Sequence, residues 1–157
     1  MHTATDVFVK AWQAPQWASE NLSKRPLRGP QAEIIQRVEK HVYARNGGVM
    51  CGRSSRQSGK NDMSAILHMR HLWRNQFAPN LLKWVRAAPT RVPQIIISQK
   101  RLDEIMHIDC KGTIRHPMFL GKKIQKSKGY ICRVGNATVE FMSSGMQSNV
   151  VGATASA

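Results

Sequence analysis

An apolar run, Gly48-Val49-Met50-Cys51, leads into the basic, hydroxyl-rich stretch from Gly52 to Asp62, and a long amphipathic segment from Met63 to Trp73 leaves it. Strand, glycine-containing loop, lysine and helix in that order constrain the chain more than any other feature. A loop so placed turns its backbone N–H groups around an anion, and the following helix adds its positive end. Lys60 then reaches phosphate oxygens as a point charge. The eight positions Ser54-Ser55-Arg56-Gln57-Ser58-Gly59-Lys60-Asn61 depart from the pattern G-x-x-x-x-G-K-[ST] at two places. Serine replaces the first glycine, and asparagine replaces the hydroxyl residue that ordinarily holds Mg²⁺. On the residues alone, the stretch fits either a phosphate-binding loop or a basic turn opening an ordinary helix.

The spacing around it predicts alternating helices and strands. Ile34, Ile35, Val38 and Val42 share one face of a helix from Pro30 to Arg45, stopped by Asn46-Gly47-Gly48. Gly48 to Cys51 reads as a short central strand, buried on both faces. A helix follows the loop to about Gln76; Leu81 to Ala88 is a second strand ended by Pro89, and Val92 to about Ile108 is helical again. That alternation predicts βαβ units and a parallel sheet. Tyr130 to Val134 and Ala137 to Met142 flank Gly135-Asn136, a hairpin signal. Ahead of the first helix, residues 1–25 read as an arm that docks through Trp12 and Trp17 or offers a subunit contact, with Ser23-Lys24-Arg25-Pro26 as linker. Either Val7-Phe8-Val9 forms a short strand, or Phe8, Trp12 and Trp17 line one face of a short helix.

Some residues carry two readings. His68 and His71 stand three apart on the predicted helix, a spacing that can hold a metal, but no acidic or cysteine partner is near in sequence and a solvated face is expected. Asp103-Glu104 reads as a solvated helix face, and Lys122, Lys123, Lys126 and Lys128 as a solvated loop or a contact to DNA phosphate. Cys51, Cys110 and Cys132 form no C-x-x-C pair, so neither a zinc site nor a disulfide framework is indicated and buried free thiols are expected. The formal net charge of +15, from 24 Lys+Arg against 9 Asp+Glu, suggests a polyanionic partner, unless further sequence carries compensating acids. No apolar stretch approaches a membrane span, which excludes a helical membrane anchor within these residues and favours the cytoplasm.

The variant Ser55-Arg56-Gln57-Ser58-Gly59-Lys60-Asn61 resembles the phosphate-binding loop of the large terminase subunit, the ATPase that packages DNA into tailed-phage capsids. In that family the loop commonly lacks its first glycine and carries an Arg-Gln pair before Gly-Lys. Three further segments fit in the same order. Leu27-Arg28-Gly29-Pro30-Gln31 resembles the upstream adenine-recognising glutamine motif; Ala87-Ala88-Pro89-Thr90 with Gln94 and Ser98 resembles the segment after the second core strand; Asn149 to Ala155 looks like the lead-in to the acidic Walker B strand. The likeness spans residues 26–157, which would form a partial ATPase domain behind the arm. In the family an apolar strand ending in Asp-Glu follows the region that here closes with Ser156-Ala157, so the chain resembles the front half of the ATPase domain, without the C-terminal nuclease.

What the resemblance implies is an α/β P-loop NTPase core with a mostly parallel sheet flanked by helices, incomplete at its C-terminal end. ATP and Mg²⁺ are the implied cofactors. Ser54, Ser55, Arg56, Gln57, Ser58, Gly59, Lys60 and Asn61 would hold the phosphates, and Gln31 the adenine edge. Lys60 and Arg56 would be catalytic, the latter stabilising transition-state charge, and the Asn61 amide would stand at the Mg²⁺ position. The implied partners are double-stranded DNA, the portal, the small terminase subunit and further copies of the full-length chain, at the procapsid in the host cytoplasm. Without the Asp-Glu strand, this polypeptide is expected to bind nucleotide weakly without turnover. The other readings are a helicase-like nucleic-acid-dependent ATPase, and a basic DNA-binding protein in which Gly59-Lys60 is incidental.

Overall fold

Apolar residues at helical spacing set five α-helices along the described residues of the computed structural model, which are 4–45, 47–53, 58–88 and 94–143. They are α1 (Ala4–Gln13), α2 (Pro15–Asn21), α3 (Gly29–Ala44), α4 (Lys60–Asn75) and α5 (Ile96–Ile105). The strands are β1 (Leu82–Ala88), β2 (Gln125–Ser127), β3 (Ile131–Val134) and β4 (Ala137–Ser143), in the spatial order β1-β4-β3-β2. β1 and β4 run parallel; β4 with β3 and β3 with β2 run antiparallel. The fold is α/β with a mixed sheet, which corrects the expectation of a mostly parallel one. The connections explain it. A two-residue turn joins β3 to β4 and suits only antiparallel neighbours, whereas β1 reaches β4 through a long crossover containing α5.

The expected hairpin is present, and its turn is pinned to the end of α4. Gly135 has a φ of +57°, and a Cβ there would come within 2.1 Å of the Gln76 carbonyl oxygen. The Asn136 N–H donates to that same carbonyl at 3.1 Å, and Asn136 Nδ2 donates to the Ala78 carbonyl at 2.8 Å. Only glycine allows so close an approach.

The expected central strand at Gly48–Cys51 is not formed. Residues 47–53 carry no regular structure, and Val49 is 86% exposed. A strand needs a hydrogen-bonding neighbour, and among the described residues the sheet ends at β1 with no strand beside it. The helices before and after this segment form as the spacing predicts.

α4 carries the core. Ile66, Met69 and Leu72 are buried on it with Val139 and Phe141 of the sheet. His68 and His71, expected on a solvated face, are instead buried at 2% and 7% exposure. His68 meets the Trp84 and Phe141 rings edge-on, and His71 meets Trp84. Burial, helped by the Arg86 charge, pushes His68 down to about 3; burial likewise pushes His71 down to about 4. Both are neutral core side chains.

The N-terminal arm adopts the helical alternative. Phe8 stacks on Trp73, and Trp12 meets it edge-on at 5.4 Å between ring centroids. Beneath them Arg70 is fully buried. Its Nε and Nη2 donate to the two Glu39 carboxylate oxygens at 2.6 and 3.0 Å, and its remaining donors reach the Ala11 and Trp12 carbonyls at 2.7 and 2.9 Å. Arg74 adds a second cation to Glu39 at 3.2 Å. The segment expected as a linker is tied down too. Ser23 is buried with its Oγ 3.0 Å from His116 Nε2, and the Leu27 N–H donates to Ser19 Oγ.

From His107 to Val134 the chain forms a lobe with seven lysines and arginines against a single acid, Asp109. Lys126 pairs with Asp103, Arg115 with Asp109, and Lys122 lies 3.6 Å over the Phe77 ring. Of the pair expected on a solvated face, Glu104 is exposed on α5, where it binds Arg101 and Arg25, whereas Asp103 is half-buried. Cys132 is buried as expected, but Cys51 and Cys110 are exposed; all three are free. No helix among the described residues is long and apolar enough to cross a membrane.

Candidate functional site

The start of α4 is set by Gly59, whose φ of +73° and ψ of 24° turn the chain sharply so that Lys60 is the first helical residue. The Gly59 carbonyl accepts from the Met63 N–H at 3.0 Å, closing the first turn. Gln31 locks this corner. Its Oε1 accepts from the Arg28 N–H at 2.9 Å, capping α3, while its Nε2 donates to the Ser58 carbonyl at 2.6 Å. A Cβ on residue 59 would stand 2.6 Å from that same Nε2. The Gln31 amide, implied by the resemblance to read adenine, spends its oxygen and one N–H on the protein itself here.

Ser58, Gly59, Lys60 and Gln31 thus come together at one corner. Asn61 is exposed in the first turn of α4. Ser54, Ser55, Arg56 and Gln57 lie outside the described residues, as do Pro89-Thr90 and the segment from Asn149 to Ala155. Gln94 and Ser98 meet at the start of α5, where Ser98 Oγ donates to the Gln94 carbonyl at 2.9 Å.

Between α3 and α4 opens a cleft of about 540 Å³. Ile34, Val38, Met63 and Leu67 give it an apolar wall, and Arg28, Arg53, Lys60 and Arg86 bring cations to it. A smaller hollow of about 280 Å³ adjoins it on the far side of Gln31 and Ser58, where Asp62 lies. Among the described residues no carboxylate lines the larger cleft, and Arg28, Arg53 and Arg86 form no ion pair. Asp62 is turned to Arg101 of α5 at 3.6 Å. Lined by both apolar and cationic side chains, the cleft suits an anionic ligand with an apolar body, and its volume is of the order of a small-molecule pocket, roughly 300–1,000 Å³.

A magnesium site is not complete in these residues. The ion takes hard oxygen donors, and the Asn61 amide is the one donor at the expected place; no group of three His, Cys, Asp or Glu side chains among the described residues could hold a metal. Arg28, Arg53 and Arg86 were not read from the loop motif. For Arg86 a signal existed. Leu82, Trp84 and Arg86 alternate along β1, so Arg86 falls on the inward face, where a charge is out of place unless something binds it.

Comparison with protein-family models, with curated proteins and with solved structures finds no match.

Proposed function

We propose that this chain is the ATP-binding front portion of a terminase large subunit, the motor that packages double-stranded DNA into phage capsids. One observation carries the reading: a left-handed glycine delivers Lys60 as the first residue of α4 at a cleft lined by both apolar and cationic side chains. The polyphosphate lies among the cations, where Lys60 and the N–H groups of the first turn of α4 hold its oxygens. The nucleoside lies along the apolar wall between α3 and α4. Arg56 keeps the transition-state role that the resemblance implies, and magnesium would ride on the phosphates themselves with Asn61 as its neighbour.

The described residues bring no carboxylate to the cleft that could activate water, and loss of a general base typically costs roughly 10²–10⁴-fold. This polypeptide therefore binds nucleotide without appreciable turnover. The charge of the 107–134 lobe supports the DNA partner, since phosphate neutralisation drives sequence-independent binding. Portal, small subunit and sister copies belong to the same proposal through the resemblance alone.

Calorimetric titration with ATP tests it. The wild type is expected to bind saturably and Lys60→Ala to bind roughly ten- to a hundredfold more weakly, a charge-assisted hydrogen bond contributing about 1.5–3 kcal/mol. A wild type that takes up no ATP, with DNA binding intact, would instead favour a basic DNA-binding protein with no nucleotide chemistry. Lys60-dependent hydrolysis by this polypeptide would overturn the claim that it does not turn over.

A further inference from the structure

We propose that Arg86 is a polyphosphate-binding residue, holding the ligand of the α3–α4 cleft from the sheet side, opposite α4; this rests on the nucleotide reading of that cleft. The first ground is its place in the fold. Arg86 stands opposite Phe141 in the parallel β1–β4 register, on the face that α4 covers, and it also lines the cleft. The second is its lack of partners. Its Nε is out of reach of solvent and makes no hydrogen bond, and no carboxylate pairs with it among the described residues. The other arginines along α4 and α5 are matched: Arg70 and Arg74 by Glu39, and Arg101 by Asp62 and Glu104.

A guanidinium held part-way into an apolar layer without an anion is costly, and it is kept where an anion arrives from outside. Arginine offers planar paired donors that match two oxygens of one phosphate, which lysine cannot. His68, a buried ring that feels that charge, is neutral, so it neither competes as a cation nor supplies an anion. Phosphate could come from a nucleotide or from a DNA backbone. The apolar wall of Ile34, Val38, Met63 and Leu67 favours the nucleotide, because a duplex presents no exposed apolar body to fill it.

The experiment compares the wild type with Arg86→Gln and Arg86→Lys, titrated with ATP, inorganic tripolyphosphate, adenosine and a mixed-sequence DNA duplex. Arg86→Gln is expected to weaken ATP and tripolyphosphate by about tenfold or more, with Arg86→Lys intermediate and adenosine and duplex unchanged. Equal tripolyphosphate affinity in a folded Arg86→Gln overturns the proposal, and so does a loss confined to duplex. If the wild type binds neither ATP nor tripolyphosphate, the nucleotide reading falls, and the role of Arg86 with it. Should Arg86→Gln not fold, the wild type still decides. Dicarbonyl modification of arginine, mapped by mass spectrometry, is expected to spare Arg86 but not the exposed Arg37 when tripolyphosphate is present; equal labelling of Arg86 with and without it overturns the proposal.

Discussion

The two halves of α4 treat charge in opposite ways. In its C-terminal half Arg70 is wholly buried, with both oxygens of Glu39 and two backbone carbonyls as acceptors, and Arg74 shares the same carboxylate. At its N-terminal half Arg28, Arg53 and Arg86, which form no ion pair among the described residues, line a cleft to which those residues bring no carboxylate. The same kind of side chain is internally matched at one end and left for a ligand at the other. Matched, buried cations fix the arrangement of helices; unmatched cations beside a cavity wait for an anion.

The comparison breaks most visibly at Glu39. Glu39→Gln leaves the Arg70 guanidinium buried without its counter-ion and is expected to destabilise the fold by about 3–5 kcal/mol in urea unfolding. Arg86→Gln, by contrast, removes no internal partner and is expected to leave stability nearly unchanged or to raise it. Equal losses from Glu39→Gln and Arg86→Gln would erase the distinction.

Acid sharpens it next. His68, His71 and His116 are neutral in the fold, pushed down to about 3, 4 and 4, chiefly by burial, from an ordinary value of 6.5. Between those values the unfolded chain binds protons that the folded chain does not, so stability rises with pH there and is lost as pH falls from about 6.5 toward 4. Each histidine contributes a slope of about 1.4 kcal/mol per pH unit. A stability profile that stays flat from pH 7 to pH 4.5 would contradict their burial as neutral rings.

Smaller effects follow at the cleft and the lobe. Gly59→Ala must hold φ near +73° and presses on Gln31 Nε2, so a loss of about 1–2 kcal/mol is expected from the backbone. On a Gln31→Ala background the side-chain contact disappears and only that backbone cost remains, which thermal unfolding of the two variants separates. In the lobe, Lys111, Lys123 and Lys128 have no ion pair among the described residues. Replacing all three with alanine is expected to change stability by less than about 0.5 kcal/mol. The slope of log affinity for duplex DNA against log salt is expected to drop by roughly 2.7, at about 0.9 per phosphate contact. An unchanged slope would move the DNA surface elsewhere.

Much of the architecture was legible one residue after another. The stripe of Ile34, Ile35, Val38 and Val42 marks α3, the glycine-lysine pair marks the start of α4, and Gly135-Asn136 marks the hairpin, because each rests on local periodicity or a local backbone conformation. The strand at Gly48–Cys51 was misread because an apolar run becomes a strand only beside another strand, and its neighbours are not set by the run itself. His68 and His71 were misread for a related reason. Their spacing puts them on one side of α4, but only the sheet decides that this side is buried against Trp84 and Phe141.

By itself the sequence determined α3, α4 and α5, the hairpin, the excess of positive charge and the turn that presents Lys60, since each follows from neighbours within a few residues or from composition. Only the tertiary structure decided that Gln31 would hold Ser58, that Glu39 would meet Arg70 across 31 positions, and that Arg86 would stand at the cleft with no acid beside it. Such partners are chosen by how helices and sheet pack, and packing is a property of the folded chain rather than of any stretch along it.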